Sequence, residues 1–265
     1  MIYLNERDRA IEVLGGSQLG EYPSDTMRMI ARYYIDNGLK KAEVIKRMED
    51  FVMKCKPNCA LSKWEPMLNK AYGVAAKQPA LDIDFIAVTQ TEMSRIAEIP
   101  VRNKRLRRLA FTMLCLAKYW KVRSPQSDFW VLTKETQIFE MANIKSVPTR
   151  QRCQMFRELS DRGMIQLPRK VDGKWFRVLF VDEQSDESQI AMRIRDFRSL
   201  GFQYLRYLGQ PFCVCENCGI VFAGRGDNIG RPKKYCDDCA TKISIQQRVD
   251  WAMRKRNENK ERGDC

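Results

Sequence analysis

Apolar side chains recur along the first third of the chain at helical spacing. Met27, Ile30, Ala31 and Tyr34 fall at i, i+3, i+4 and i+7, one face of a helix that Gly38 would end. Ala42, Ile45, Met48, Phe51 and Val52 form a second such stripe, and Leu61, Trp64, Met67, Leu68 and Ala71 a third. Residues 24–76 therefore predict helices that share a core, a patterning that carries no chemistry of its own.

Residues 78–80 read as a linker. Thr89 and Glu92 then have capping-box spacing for a short helix. Leu106, Leu109, Met113, Leu116 and Trp120 give the stripe of a stronger one. Thr133 is placed to cap a helix ending near Ala142. Pro148 is placed at the first position of the next, behind a cap at Ser146 or Val147. That helix turns Met155, Phe156 and Leu159 inward and stops at Gly163, where a left-handed residue fits. The period then changes to two. Ile165 and Leu167 alternate, Asp172-Gly173 marks a tight turn, and Phe176, Val178 and Phe180 alternate back. After an acidic linker at 182–189, Ile190, Met192 and Ile194 alternate as a strand, and Phe202, Leu205 and Leu208 suit a short helix. The expected fold is mainly α with small β-hairpins, an α+β class. The expected domains are a helical one at 1–80, a central one at 81–182 and a cysteine-bearing one at 190–265.

Composition narrows the chemistry. The chain has 265 residues, 44% hydrophobic and 30% charged, which fits a globular protein. No apolar run approaches the roughly 18 residues that span a bilayer, and the first ten residues lack the apolar core of a signal peptide. A cytoplasmic protein is expected, with no membrane partner and no small-molecule substrate. In that setting ten cysteines point to metal rather than disulfides. There is no histidine. Ser-His-Asp triads, Cys-His dyads and histidine-based nuclease sites are thereby excluded, and a non-enzymatic protein is expected.

Cys215-x-x-Cys218-Gly219 and Tyr235-Cys236-x-x-Cys239 stand seventeen residues apart. Each CxxC turn lets two thiolates reach one ion, and Gly219 permits the tight knuckle. Four thiolates in a closed set select zinc over magnesium or calcium, so one structural zinc ion is expected on Cys215, Cys218, Cys236 and Cys239, with an iron–sulfur cluster, which four cysteines also hold, as the alternative. Cys213 breaks the symmetric spacing, and Cys55 and Cys59 have no second pair nearby.

The net charge of +14 is unevenly spread: residues 1–100 hold 14 basic and 14 acidic side chains, and residues 101–265 hold 33 and 19. Concentrated positive charge is expected of a surface that faces a polyanion. Eight basic residues and no acid lie between Arg102 and Gln126, among them Arg102, Lys104, Arg105, Arg107 and Arg108. The helix after Pro148 would present Arg150, Gln151, Gln154 and Arg157, although Glu158 and Asp161 stand close and would repel phosphate. The hairpin tip offers Arg169, Lys170 and Lys174. The cysteine segment adds Arg231, Lys233 and Lys234, and the helix after it Arg248, Arg254, Lys255 and Arg256.

Two resemblances bear on this. Three helices followed by a hairpin, with Met155 to Ile165 as third helix and first wing strand, resemble bacterial winged-helix proteins. Such proteins use the third helix in the DNA major groove or serve as docking modules. A knuckle, a basic hairpin, and a knuckle opening a helix resemble a treble-clef finger. The stretch Asp196-Phe197-Arg198, Leu200-Gly201, Tyr204-Leu205, then the two knuckles with Lys234-Tyr235 and Ala240, resembles the C-terminal zinc segment of poorly characterised bacteriophage and prophage proteins. That resemblance implies a mobile-element origin, a bacterial host cell, and a nucleic-acid or host-factor role. The first expectation is a double-stranded-DNA-binding protein. The second is a phage-encoded inhibitor that docks on a host nucleoprotein or defence enzyme through the neutral N-terminal part.

Overall fold

A computed structural model describes the chain except residues 1, 18, 21, 169–174, 184–185, 225–232 and 264–265, and except the side chains of 257–263. The first half runs α1 (Glu6–Gly16), α2 (Pro23–Asp36), α3 (Lys41–Cys55), α4 (Glu65–Ala75), β1 (Ile86–Thr89), α5 (Gln90–Ala97) and α6 (Lys104–Arg123). The second runs β2 (Trp130–Val131), α7 (Glu135–Met141), α8 (Thr149–Asp161), β3 (Ile165–Gln166), β4 (Phe176–Val178), β5 (Ile190–Ile194), α9 (Leu200–Tyr207), β6 (Phe212–Val214), β7 (Val221–Ala223) and α10 (Asp237–Gly263). The class is mainly α with small antiparallel sheets, as expected. No helix among the described residues is long and apolar enough to cross a membrane.

The chain forms two compact units. The first comprises Met1–Thr89, Val122–Pro125 and Ser185–Phe197. Its core is the helical stripes: Met27, Ile30 and Ala31 of α2, Val44, Met48, Phe51 and Val52 of α3, and Leu68, Ala71 and Ala75 of α4. Helix α1, which the sequence does not announce, adds Ala10 and Val13 and starts where the Asn5 side chain accepts from the Asp8 amide at 2.8 Å. Cys55 and Cys59 sit at the edge of this core. Strand β5 pairs antiparallel with β1, Ile86 opposite Ile194 and Val88 opposite Met192. A buried carboxylate ties the unit together. Glu6 meets Arg32 at 2.6 Å and Arg123 at 3.6 Å, and accepts from the Leu81 amide at 3.0 Å.

The second unit comprises Gln90–Lys121, Gln126–Gln184 and Arg198–Cys265. Helix α6 fills its middle, with Leu109 to Ala117 all buried. Sheet β2-β4-β3 is antiparallel, with Val131 opposite Phe176 and Ile165 opposite Val178. Phe156 of α8 stacks on Phe176 of β4 at 4.1 Å and meets Phe139 of α7 edge-on at 5.6 Å. Helix and sheet therefore share one aromatic layer.

Three local expectations change. The start of α8 has Pro148 in the cap position and Thr149 as its first residue, while Ser146 lies exposed at φ 56°. Proline in a cap position still loses no helical hydrogen bond. Thr133 does not cap α7, whose cap is Lys134. It is buried, and its hydroxyl accepts from the indole of the half-buried Trp120 at 2.9 Å, a partner the burial of the hydroxyl requires. The hairpin strands stop at Gln166 and Val178, short of Leu167 and Phe180. The turn at Asp172-Gly173 lies outside the described residues.

Helix α9 is seated against the end of α7. The Phe202 amide donates to the Asn143 side chain at 3.0 Å, and a Cβ on Gly201 would stand 1.9 Å from the Ala142 carbonyl oxygen. Gly201→Ala is therefore expected to destabilise the second unit by about 1–3 kcal/mol. Gly73→Ala, a helical site with open space around it, should be neutral or stabilising by up to about 1 kcal/mol. Urea unfolding of the two variants checks the contrast, and equal midpoints would contradict it.

Candidate metal centre

The segment after α9 reverses twice to gather sulfur. Phe202 of α9 stacks on Phe212 of β6 at 4.8 Å, anchoring the first strand. Strands β6 and β7 pair with Val214 opposite Val221, and the knuckle closes between them. The Cys215 amide donates to the Ile220 carbonyl and the Gly219 amide to the Cys215 carbonyl, both at 2.9 Å. Gly219 stands at φ 72°, where a side chain would be strained. The second knuckle opens α10, with the Ala240 amide donating to the Cys236 carbonyl at 2.9 Å. The Glu216 amide, donating to the Lys234 carbonyl at 3.0 Å, holds the two knuckles edge to edge.

The four sulfurs of Cys215, Cys218, Cys236 and Cys239 lie within 4.8 Å of one another, with Cys218 and Cys236 3.8 Å apart. Four sulfurs about 2.3 Å from a common centre stand about 3.8 Å apart, so the spacing fits tetrahedral coordination. Cys215, Cys236 and Cys239 are buried and Cys218 half-buried. The four cysteines can hold one metal ion, as the knuckle spacing leads one to expect.

The surroundings favour thiolates unevenly. Burial pushes the Cys215 thiol up, but the amides of Cys236, Cys218 and Asn217 point at its sulfur and hold it at about 6. Cys236 is pushed up to about 12, by burial first and then by hydrogen bonding with its neighbouring thiols. Cys218 is raised by burial in the same way. Crowded sulfurs repel as thiolates, and a central cation reverses that term. Two further groups brace the site. The Asn217 amide donates to the Cys239 sulfur at 3.3 Å, and the Arg198 guanidinium donates to the Cys218 carbonyl. The sequence carried a weak sign of the first, a carboxamide inside the knuckle, and none of the second. Cys213 lies on β6 opposite Phe222, outside the cluster.

The basic candidates separate into groups. Arg150, Gln151, Gln154 and Arg157 are all exposed on α8; Arg150, Gln154 and Arg157 lie on the side away from Met155, Phe156 and Leu159, and Gln151 lies on the flank. None has an ion pair or side-chain hydrogen bond among the described residues. Arg102, Lys104 and Arg105 are exposed in the same way. Asn103 donates to Glu158 at 3.1 Å, which sets the start of α6 beside the last turn of α8. Arg162 also meets Glu158 at 3.1 Å, so that carboxylate is compensated, while Asp161 stays exposed.

Other candidates are engaged within the protein. Arg107 donates to the carbonyls of Ile99 and Ala97 at 2.7 and 2.6 Å, and Arg108 to that of Asn143 at 3.0 Å. Burial, then the nearby Arg105, lowers Arg108 below the usual arginine value. Lys118 pairs with Glu92 at 2.7 Å, and Lys121 lies over the Phe129 ring. Lys233 pairs with Asp237 at 2.9 Å and Lys234 with Glu216 at 3.6 Å. Arg248, Arg254, Lys255 and Arg256 are exposed on α10. Arg169, Lys170, Lys174 and Arg231 lie outside the described residues.

No protein-family model, curated protein or solved structure matches the chain.

Proposed function

We propose that this is a non-enzymatic, double-stranded-DNA-binding protein of the bacteriophage or prophage type, with a winged helix in its second unit and one structural zinc ion on its four cysteines. The observation that carries the DNA reading is the outer side of α8. Four donor-bearing side chains stand exposed there with no partner among the described residues, beside a second exposed basic cluster at Arg102, Lys104 and Arg105. The order α6, β2, α7, α8, β3, β4 with sheet order β2-β4-β3 supports the winged-helix assignment. In that assignment α8 enters the major groove, Arg150 and Gln154 face base edges, and Arg102, Lys104, Arg105 and Arg157 meet phosphates.

Zinc follows from the donor set, since four thiolates suit it and leave no open position for water or substrate. The ion would cross-link the β6–β7 hairpin to the start of α10. With no histidine in the chain and a closed metal site, the protein is expected to leave DNA and RNA uncut.

The test is a salt series of DNA-binding isotherms. Each neutralised phosphate contributes about −0.9 to the slope of log K against log salt, so about six contacts give a slope near −5. Arg150→Ala with Gln154→Ala should flatten sequence preference, and Arg102→Ala with Arg105→Ala should weaken every sequence alike and make the slope shallower. Lys233→Ala with Lys234→Ala should change the slope less, because both ammonium groups already face carboxylates. No binding tighter than micromolar at about 100 mM salt, on any duplex of host or phage, would end the proposal.

A further inference from the structure

The last helix has two sides of different chemistry. Successive residues turn by about 100° around a helix, so Lys242, Ile245, Val249, Met253 and Arg256 line up along one side of α10. Trp251, Arg248, Arg254 and Lys255 occupy the flank and the opposite side. Ile245 is 51% exposed, Val249 46% and Met253 50%. Three apolar side chains in register, each about half open to water, with a cation at each end of the line, form a bounded stripe rather than scattered exposure.

We propose that this stripe docks a protein partner of complementary chemistry: an amphipathic helix presenting a short apolar strip with a carboxylate at each end. The proposal does not depend on DNA binding, because the cations α10 would offer to phosphate lie mainly on its other side. Charge selects the occupant. A second copy of α10 would bring Lys242, Arg248, Arg254, Lys255 and Arg256 against their own kind, with Asp250 the one described acid between 242 and 256 and Asp237 and Asp238 confined to the first turn. A duplex has no apolar strip to cover Ile245, Val249 and Met253. A membrane surface would want Trp251 on the apolar side and no cations in line with it. Trp251 instead lies elsewhere, with the Lys255 ammonium 4.9 Å from its ring centre. A narrow apolar line with charged ends matches the seam along which two amphipathic helices pair, apolar residues in line and opposite charges beside them.

The probe is a synthetic helical peptide with three leucines at i, i+4 and i+7 and glutamates at both ends, its binding to the full-length, metal-loaded protein read by anisotropy. The control peptide has the same composition with the leucines scattered around the helix. The striped peptide should bind at least about tenfold more tightly than the control. Ile245→Ser with Val249→Ser should remove about tenfold in affinity. Arg254→Gln with Lys255→Gln should change it by no more than about twofold. Because Ile245 and Val249 are exposed, their variant should keep the parent's metal content and unfolding temperature. Several outcomes would overturn the proposal. They are equal binding of the two peptides, no binding up to about 100 µM, a parent dimer that Val249→Ser dissociates, or anionic phosphatidylglycerol vesicles that the parent holds and the Ile245, Val249 variant releases.

Discussion

Cys236→Ser is expected to cost the protein its metal and to unfold the knuckles and the first turns of α10, while the first unit and the α6–α8 region keep their structure. The reason is the composition of the local core. The buried cluster of this segment is Cys215, Cys236 and Cys239, with Cys218, Ile220, Phe222 and Tyr235 packed around it among the described residues. The ligands are the centre of that core, so too little apolar surface remains to hold the turns when one is removed. Structural zinc contributes about 10–16 kcal/mol in finger peptides, far more than two short strands and two knuckles supply without it. Metal analysis together with amide hydrogen exchange reads the effect. Exchange should become fast at the Cys215, Gly219 and Ala240 amides and stay slow at the buried stretches of α2, α3 and α6. A variant that retained both its metal and that protection would contradict the assignment.

The second large effect lies away from the metal. Lys118 and Glu92 face each other at 2.7 Å with side chains 13% and 0% exposed. The second carboxylate oxygen of Glu92 is 2.8 Å from the same ammonium, and the first also accepts from the Asp182 amide at 2.8 Å. Lys118→Ala removes the ammonium that both oxygens of the fully buried Glu92 carboxylate face and is expected to cost about 3–5 kcal/mol. Glu92→Gln with Lys118→Met, which keeps the acceptor for Asp182 and removes both charges, should recover most of that loss. Denaturant midpoints of the single and double variants measure it, and a single variant within about 1 kcal/mol of the parent would show the pair to be unimportant. The salt slope for DNA should be the same in the double variant as in the parent, since Lys118 is committed inside the protein.

That pair also shows where sequence patterning misleads. The run from Arg102 to Gln126 holds eight bases and no acid, which suggests an uncompensated surface. The acids are present, but they arrive from elsewhere in the chain: Glu92 from α5 meets Lys118, and Glu6 from α1 meets Arg123. Arg107 and Arg108 spend their donors on carbonyls instead. Charge balance within a window says nothing of charge balance in space, and only Arg102, Lys104 and Arg105 remain exposed and unpaired among the described residues of that run.

Long amphipathic helices were legible because their buried faces repeat: most of the stripes assigned to α2, α3, α4, α6 and α8 lie on the buried faces observed, although Ala42 is exposed with Val44 buried in its place, and Leu61 and Trp64 are half-buried ahead of α4. The metal ligands were legible because two knuckles of fixed spacing constrain each other. Strand β2, two residues long, is too short to display a period of two. The pairing of β1 with β5 joins residues about a hundred positions apart, and no local pattern encodes such a partner. Helix α1 escaped because only Ala10 and Val13 of its apolar side chains are buried and Ile11 is exposed, which leaves too thin a stripe to recognise.

X-ray absorption at the zinc edge, on full-length protein purified without added metal, tests the metal centre most directly. The expected result is about one zinc per chain with four sulfur neighbours at about 2.3 Å and no nitrogen or oxygen in the first coordination sphere. A metal-free protein, or a zinc whose neighbours include oxygen or nitrogen, would contradict the assignment of Cys215, Cys218, Cys236 and Cys239 as a closed zinc site.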